Sequence, residues 1–388
     1  MQRPVIAILL LFFAFNLKAQ EEVSLQPDRI NDLLAAASNN PTRVIHLVDS
    51  LAKRKEAGYD AYLWAAEASY QLGKFYQQQH YLERAHHIYP NDTRALPALY
   101  ENYLVLGNYP QALRLNKMIL AQAELGKYYA NRPVLHLVHA EYGFKQSSND
   151  SLYAPLHYAQ IGVGIRIKQI AWMHAISYLS QNSFLGTTNQ YQYYSALAIP
   201  LKNNWTISPA CHALYVNIAN EIPITDSSIL SSTAIIVALH VSKQYKNFKL
   251  EVGATRGNMN NEEQLQIQPA ITYYPFSNKK LFLQAAGTYF TEKDVATGIV
   301  QVGARPISSL QVIGSYLYGG VRNFAEQNGY LVNNSFDETN HRYGLVTNYN
   351  LTQSLAIYGV FQLEQKTEYF SRTDYNYGTG LLGVKKVF

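Results

Sequence analysis

The stretch from Leu355 to Glu364 reads LAIYGVFQLE, and its large apolar side chains alternate with small or polar ones. Alternation sustained over eight to ten residues indicates a strand with one apolar and one polar face. The same pattern occurs at 248–255, 265–272 and 281–286. Such strands are longer than the five or six residues usual in soluble sheets, and they match the roughly 9–11 residues that a tilted strand needs to cross a bilayer. The C-terminal part is therefore predicted to span a membrane as strands.

Short turns and longer polar loops alternate between these strands. Turns are predicted at 167–169, 202–204, 244–246, 277–279, 306–308 and 350–352, and loops near 145–152, 181–188, 220–229, 258–262, 291–294, 320–338 and 366–373. Together they divide residues 131–388 into about fourteen antiparallel strands. Outer-membrane barrels have an even strand number, short periplasmic turns and longer external loops. The pattern predicts such a barrel, with both of its chain ends in the periplasm.

Aromatic residues and the C-terminus favour the same fold. Of the 388 residues 32 are Tyr, only 15% are charged, and Tyr clusters at the expected strand ends, where outer-membrane barrels carry aromatic girdles. The chain ends in Phe388, which is similar to the terminal signal read by the outer-membrane assembly machinery, although Lys386 interrupts its pattern. The alternative, a soluble β-sandwich or barrel, does not explain strand length, Tyr excess and loop alternation together.

The first twenty residues have the order of a secretory signal peptide. Arg3 precedes the apolar run Val5–Phe15, and Ala19 lies just before an expected cleavage near Gln20, as in exported proteins. Without residues 1–20, the formal charge falls from +5 to about +3, too weak and scattered for a nucleic-acid binder. Because Cys211 is the only Cys, intrachain disulfides and Cys-based zinc clusters are excluded. We expect no cofactor and no metal.

Residues 21–130 are predicted to form a helical repeat domain. Two similar segments lie 34 residues apart, with Gly and an aromatic residue at matching places and an Ala further on; they comprise Gly73, Phe75, Ala85 and Pro90, then Gly107, Tyr109 and Ala112. This period resembles the tetratricopeptide repeat. We expect Gly at tight turns where a Cβ would clash, the aromatic residue at the start of the second helix, and Ala where helices approach closely. Pro90 is expected to end the helix.

A third, degenerate unit is expected around Asn39, which lies 34 residues before Gly73. The alternative is an ordinary helical bundle in which the period arises by chance. Repeats of this kind bind peptides or proteins along a concave face. We therefore expect an α + β multidomain chain, in which a periplasmic α-solenoid precedes a transmembrane β-barrel.

The combination of signal peptide, tetratricopeptide-like repeats and C-terminal barrel resembles the YaiO family of outer-membrane proteins. In the barrel the resemblance depends on the opening strand His136–Tyr142, on Pro200, Pro275 and Pro306 at turns, and on Phe388. It implies the architecture rather than a mechanism. The arrangement is also similar to polysaccharide-exporting porins, which have longer repeat arrays and about sixteen strands.

Three charged residues within the strands are expected to face the lumen, namely Lys249, Glu251 and Glu364. A lipid-facing Arg or Lys costs about 2–4 kcal/mol at the bilayer midplane. Mixed signs inside the barrel are consistent with a water-filled pore or with an ion-pair network that plugs it. Ser208 and His212 share a strand face without an acidic partner. No catalytic residue is assigned, although pairs between strands stay open.

Three functions follow from these expectations. The first is a pore for export or transport, with a polysaccharide as one cargo. The second is a non-conducting outer-membrane anchor that recruits periplasmic partners through the repeats, and the third is an outer-membrane hydrolase. The expected partners are outer-membrane lipid, the assembly machinery and a periplasmic protein or polysaccharide.

Overall fold

The structure, a computed structural model, describes residues 39–90, 92, 94–106, 108–120, 134–149, 153–167, 170–183, 186–219, 231–259, 262–333, 335, 337–352, 354–369 and 371–388. Several predictions from the sequence lie outside these residues: the signal peptide at 1–20, Gly107, the 220–229 loop and the domain boundary at 130/131.

Five helices form the described N-terminal part: α1 (Pro41–Lys53), α2 (Tyr59–Gln71), α3 (Phe75–Ile88), α4 (Ala95–Val105) and α5 (Tyr109–Leu120). Helix α1 begins where the Asn40 side chain accepts a hydrogen bond from the Arg43 backbone N–H at 3.1 Å, a standard N-terminal cap. Helices α1, α3 and α5 begin at residues 41, 75 and 109, so that 34 residues separate successive starts. None of the helices described is long and apolar enough to cross a bilayer.

Gly73 lies in the turn between α2 and α3, but for a different reason from the one expected. A Cβ built on Gly73 meets no atom within 4 Å, so the turn is not crowded. The residue instead has a φ of +66°, a left-handed conformation that glycine adopts without steric cost. Backbone conformation, and not close packing, requires glycine here.

The other repeat residues lie at helix starts, helix ends and helix contacts. Phe75 begins α3, and its ring packs edge-on against Tyr70 of α2 with centroids 6.1 Å apart. Ala85 and Ala112 are fully buried, where small side chains permit close helix approach. Pro90 lies just beyond the end of α3, and Tyr109 begins α5.

Fourteen strands form one closed antiparallel barrel, which confirms the predicted barrel and its strand number. They are β1 (Leu135–Ser147), β2 (Tyr153–Ile167), β3 (Ile170–Ser183), β4 (Gly186–Pro200), β5 (Trp205–Ala219), β6 (Ser231–Tyr245), β7 (Phe248–Met259), β8 (Glu262–Tyr273), β9 (Leu281–Phe290), β10 (Val295–Ile307), β11 (Leu310–Val321), β14 (Glu338–Asn350), β15 (Leu355–Thr367) and β16 (Asp374–Val387). Two short strands, β12 (Phe324–Glu326) and β13 (Leu331–Asn333), form a separate hairpin.

The first and last strands close the ring. Strand β1 pairs with β16 from Leu137↔Val387 to Ser147↔Tyr377, and the Phe388 backbone N–H donates to the His136 carbonyl at 3.0 Å. The helical domain and the C-terminus lie at the same end of the barrel. We call that end the helix-side rim and the opposite end the far rim.

The six short turns lie where they were predicted, all at the helix-side rim. Two of the predicted long loops are wrong, because most of their residues belong to strands. In the 181–188 segment, Gln181 pairs with Thr188 and Asn182 with Thr187, and the 258–262 segment pairs Met259 with Glu262. These polar residues lie in strand ends that continue towards the far rim, so their polarity does not mark loops.

The two faces of the barrel differ in chemistry. Exposed apolar side chains cover the outside, among them Ile161, Ile176, Ile235, Val237, Leu239, Leu250, Val252, Val300, Val302, Phe361 and Leu382. Polar side chains are buried inside, among them His139, Gln160, Ser177, Gln190, His212, Thr255, Gln264, Gln266, Thr272, Glu364 and Lys366. An apolar exterior around a polar interior is the arrangement of outer-membrane barrels.

The helical domain packs directly on the helix-side rim. The Tyr76 and Tyr274 rings lie 4.3 Å apart, in one buried cluster with Leu106. The Tyr76 backbone N–H donates to the Ser277 carbonyl at 2.6 Å, and the Asn278 side chain donates to the Gly73 carbonyl at 2.8 Å. The turn between β8 and β9 is thus joined to the start of α3.

A second contact involves the turn between β4 and β5. The Gln111 side chain donates to the carbonyls of Leu201 and Trp205, both at 3.0 Å. The Tyr103 hydroxyl donates to Asn204 Oδ1 at 2.8 Å. Helices α4 and α5 therefore hold this turn, and the domain contacts the rim at two separated places.

Candidate transport lumen

The β12–β13 hairpin lies inside the barrel and crosses it. Its root is between β11 and β14, and its tip contacts Tyr194 of β4 and His212 of β5. In the ring order β4 lies seven strands from β11, which is half of a fourteen-stranded circle. We call residues 324–333 the inward hairpin. It spans the lumen from wall to wall.

The tip of the inward hairpin is a left-handed turn. Gln327, Asn328 and Gly329 have φ values of 50°, 60° and 77°. These three residues belong to the four-residue loop 327–330 that joins Glu326 to Leu331, the last register pair of the hairpin. Glycine and asparagine adopt the left-handed conformation more readily than other residues do.

Glutamine side chains of β8 form hydrogen bonds with backbone groups of β12, the first hairpin strand. Gln268 donates from Nε2 to the Ala325 carbonyl at 2.7 Å, and the Ala325 N–H donates to Gln266 Oε1 at 3.3 Å. Ala325 is fully buried, so its backbone groups need partners. Side chains of the wall are these partners, and the hairpin stays a separate sheet from the barrel.

Residues of four wall strands, β1, β2, β4 and β5, contact the hairpin tip. The ring nitrogen Nδ1 of His212 lies 2.7 Å from the Gly329 carbonyl oxygen, and the Tyr194 hydroxyl donates to the Asn328 carbonyl at 3.3 Å. The Tyr330 hydroxyl contacts the Gln160 amide and lies 3.4 Å from His139 Nε2. His212, which the sequence left without a role, contacts the hairpin through one ring nitrogen.

Buried ion pairs hold the root of the hairpin. Arg342 on β14 contacts Glu326 at 2.5 Å, and their side chains are only 11% and 18% exposed. Towards the far rim, Glu262 accepts from Arg322 at 2.6 Å and from Lys293 at 2.9 Å. Charged hydrogen bonds between desolvated groups are stronger than neutral ones, so the root is held more firmly than the tip.

The three charges predicted for the lumen all lie on the inner face. Lys249 and Glu251 form an ion pair at 2.7 Å. The Glu364 carboxylate lies 2.5 Å from the Lys145 ammonium and is 5% exposed. Each charge has a partner of opposite sign, as in the ion-pair network considered from the sequence.

Positive charge predominates on the inner wall near the helix-side rim. Arg166, Arg305 and Lys385 occupy inward positions near the ends of β2, β10 and β16, where neighbouring strand positions point outward. Lys279, in the β8–β9 turn, has a pKa lowered to about 8 by burial and by the nearby Arg305 and Lys249. Burial is the larger cause of this lowering, and the two neighbouring cations add to it.

Three serine–histidine pairs are register partners between the described strands: His157 with Ser180, Ser208 with His240, and His174 with Ser195. His174 of β3 and Ser195 of β4 are register partners on the outer face. The Ser195 hydroxyl accepts a hydrogen bond from the Trp172 indole at 2.8 Å, and His174 Nδ1 lies 2.8 Å from the Tyr193 hydroxyl. A nucleophile and its base must share a hydrogen bond; these two side chains each bond to another residue.

Within the described part of the chain, no group of three or more His, Cys, Asp or Glu side chains is arranged to hold a metal ion. The feature missed from the sequence is the inward hairpin, because 320–338 was read as an external loop. Its sequence contains the apolar residues Phe324, Ala325 and Val332, which pack on apolar patches of the inner wall. Apolar residues in a long polar loop were the available signal.

Comparison with known proteins finds similarity in solved structures alone: no protein-family model and no curated protein matches the sequence. The CymD monoaromatic hydrocarbon channel is 8% identical, with a TM-score of 0.49, over 74% of this chain and 96% of that one. The Pseudomonas putida toluene transporter TodX is 7% identical, with a TM-score of 0.47, over 67% and 91%. A Pseudomonas aeruginosa FadL homologue is 8% identical, with a TM-score of 0.43, over 67% and 93%. On its own geometry, the chain is an outer-membrane type of β-barrel with a helical domain on one rim and a hairpin across its lumen.

Proposed function

We propose that this protein is an outer-membrane transport channel whose lumen is gated by the inward hairpin. The observation that carries the proposal is that one loop segment crosses the lumen from wall to wall. It contacts the wall through hydrogen bonds, ion pairs and two apolar clusters, and it shares no ladder with the barrel strands. A closure of this kind can detach while the barrel stays intact.

The part of the wall behind the hairpin that lies between the apolar patches contacted by Phe324 and Ala325 is polar and suited to water. Gln160, Gln266 and Gln268 face the lumen with amide groups that now bond to the hairpin. Buried polar groups without partners are costly, but water entering an open lumen satisfies the same groups. An apolar wall would not allow this exchange. The displaced state is therefore a hydrated pore.

The charge of the inner wall favours an anionic, polar cargo. Arg166, Arg305 and Lys385 lie where a chain entering from the helix-side rim first meets the wall. A lumen lined by one sign of charge raises the local concentration of the opposite sign. Within this proposal an acidic polysaccharide is the cargo class that suits the wall.

We further propose that the helical domain is a short array of tetratricopeptide-like repeats in the periplasm, as in the YaiO family. The equal spacing of the α1, α3 and α5 starts supports this. The domain packs on the rim beside the lumen entrance, where a repeat surface would present a cargo or partner protein to the channel.

Planar-bilayer conductance of the full mature chain tests the gate. Replacing residues 324–333 by a short Gly-Ser linker should produce large, steady openings that the wild type lacks. A Cβ at Gly329 lies 3.6 Å from the Ala238 Cβ, within disulfide range. In a Cys211→Ser background, the Gly329→Cys/Ala238→Cys variant should stay closed when oxidised and open after reduction.

A second function, a non-conducting anchor, is favoured by the same closure together with the docked helical domain. In that case the protein would have no conformation with an open lumen. The hairpin replacement discriminates the two, because an anchor whose lumen is otherwise filled would give no conductance in the replaced variant.

A further inference from the structure

A cavity of about 660 Å³ lies between the helical domain and the barrel rim. Its wall comes from three places: α1 and the start of α3, the β6–β7 turn, and the β8–β9 turn. The cavity is outside the lumen, because the β6–β7 turn residue Lys246 stacks beside Tyr245, whose ring is exposed on the outer face. It is a site separate from the transport path.

The cavity is lined by more positive than negative charge. Three lysines, Lys74, Lys246 and Lys280, face it together with one carboxylate, Asp49. Asp49 also accepts a hydrogen bond from the Tyr81 hydroxyl at 2.7 Å. None of the three ammonium groups forms an ion pair with a carboxylate in the described part of the chain. Three clustered cations with one nearby anion leave a site for a ligand of negative charge.

The histidine in the cavity does not add to that charge. His80 lines the cavity, and its pKa is lowered to about 4 by burial and by the neighbouring Lys246 and Arg84. At neutral pH its ring is uncharged and offers a neutral hydrogen-bonding nitrogen. The three lysines therefore provide the positive charge.

The same cavity opens beside aromatic residues at the edge of the lipid belt. Phe248 and Tyr273 stack with centroids 4.9 Å apart, and Phe276 is 58% exposed. Two residues further along the strands, Leu250 and Ile271 belong to the apolar outer face. Aromatic side chains of this kind mark the level of the lipid headgroups. The lysines thus lie at the height of lipid phosphates, with apolar surface adjoining on the membrane side.

We propose that this cavity binds the phosphate-bearing headgroup of an anionic phospholipid from the adjacent leaflet. The phosphate would lie among Lys74, Lys246 and Lys280, and the acyl chains would run along Phe276 and the Phe248–Tyr273 stack. Basic pockets near a membrane surface recognise anionic lipids in this way. The bound lipid bridges the helical domain and the barrel rim, since the lysines come from both.

Native mass spectrometry of the delipidated, full mature protein in detergent tests the site. Dioleoylphosphatidylglycerol should bind about tenfold more tightly than dioleoylphosphatidylcholine. The Lys74→Gln/Lys246→Gln/Lys280→Gln variant should lose that preference. The matched control Lys53→Gln/Lys55→Gln/Lys202→Gln removes the same charge from the same side of the protein and should keep it. Heat-modifiable migration in gels shows that each variant retains a folded barrel.

Two results would overturn the proposal. One is an unchanged preference for phosphatidylglycerol in the cavity variant. The other is competition by inorganic phosphate at concentrations as low as those of the lipid, which would identify a site for soluble anions. Neither result depends on whether the barrel conducts, so the lipid site and the proposed gate are tested separately.

Discussion

At the scale of single residues, conformation and solvation decide what each position requires. Gly73 shows this for the backbone. Its φ of +66° is left-handed, and a Cβ at this position would meet no atom within 4 Å, so conformation rather than packing requires glycine. We expect Gly73→Ala to destabilise the helical domain by about 1–2 kcal/mol, since a Cβ is disfavoured in that conformation. Gly58 is the control: it has open space and an ordinary φ. Because it is the N-cap of α2, where Ala is less favourable than Gly, Gly58→Ala should cost something, but less than Gly73→Ala. Urea titration of the helical circular-dichroism signal measures both, and equal losses would contradict this explanation.

Glu83 shows the same point for solvation. Its Oε1 accepts from Gln79 at 2.6 Å, from Asn204 at 2.5 Å and from the Tyr103 hydroxyl at 3.1 Å, all neutral donors. Burial raises the carboxyl pKa above its ordinary value near 4.5. The folded, docked domain therefore holds a proton that the unfolded chain releases, and the resulting stability is complete below pH 4.5 and decreases as pH rises through the raised pKa.

The thermal midpoint of the helical domain should therefore be higher at pH 5 than at pH 8. Glu83→Gln keeps an oxygen that accepts from the same donors but cannot ionise, so this pH dependence should become smaller. Thermal scans of the circular-dichroism signal at both pH values provide the measurement. A wild type and variant with the same pH dependence would show that Glu83 is not responsible.

At the scale of elements, the root of the inward hairpin depends on the Arg342–Glu326 pair. Removing one partner of a buried pair costs about 3–5 kcal/mol, whereas replacing both by apolar side chains of similar size is often neutral. We expect Arg342→Met to free the hairpin and raise channel opening. The double variant Arg342→Met/Glu326→Met should recover most of the closed state. Single-channel recording checks both, and a double variant as open as the single one would contradict this role.

The elements also show what was accessible from the sequence. The strands and all six helix-side turns followed from local alternation, because a strand with one lipid-facing side carries its own pattern. The inward hairpin did not, because its partners are distant along the chain. Tyr330 meets Gln160 across 170 residues, and Gln268 meets Ala325 across 57. The composition of a loop shows that it is polar but not where it lies. These long-range contacts decide whether a polar loop faces external water or the lumen.

The sequence likewise predicts that the charged side chains lie inside the barrel, but it does not predict every ion-pair partner. The cost of charge in lipid predicts that Lys249, Glu251 and Glu364 lie inside. Lys249 and Glu251 pair with each other two residues apart on one strand, but the partner of Glu364 depends on register between strands. Glu364 pairs with Lys145, which lies on β1 beyond β16 in the ring. A sequence without a register contains no information on such a pair.

At the scale of the whole molecule, the orientation follows from the side on which the helical domain lies. An exported domain on the helix-side rim predicts that this rim faces the periplasm. In a Cys211→Ser background, Glu292→Cys in the far-rim turn should react with a membrane-impermeant maleimide on intact cells. Lys202→Cys at the helix-side rim should react after permeabilisation only. Labelling of residue 202 on intact cells would reverse the orientation.

The inward hairpin also has a mechanical consequence. The surrounding lipid exerts lateral pressure on the ring of fourteen strands. The inward hairpin contacts opposite walls of this ring, so it acts as a strut along one axis. The strut keeps β4 and β11 at a set separation, so the cross-section stays round along that line. When the hairpin leaves, the ring is free to become elliptical. Displacement of the hairpin would then both open the lumen and make the barrel cross-section easier to deform.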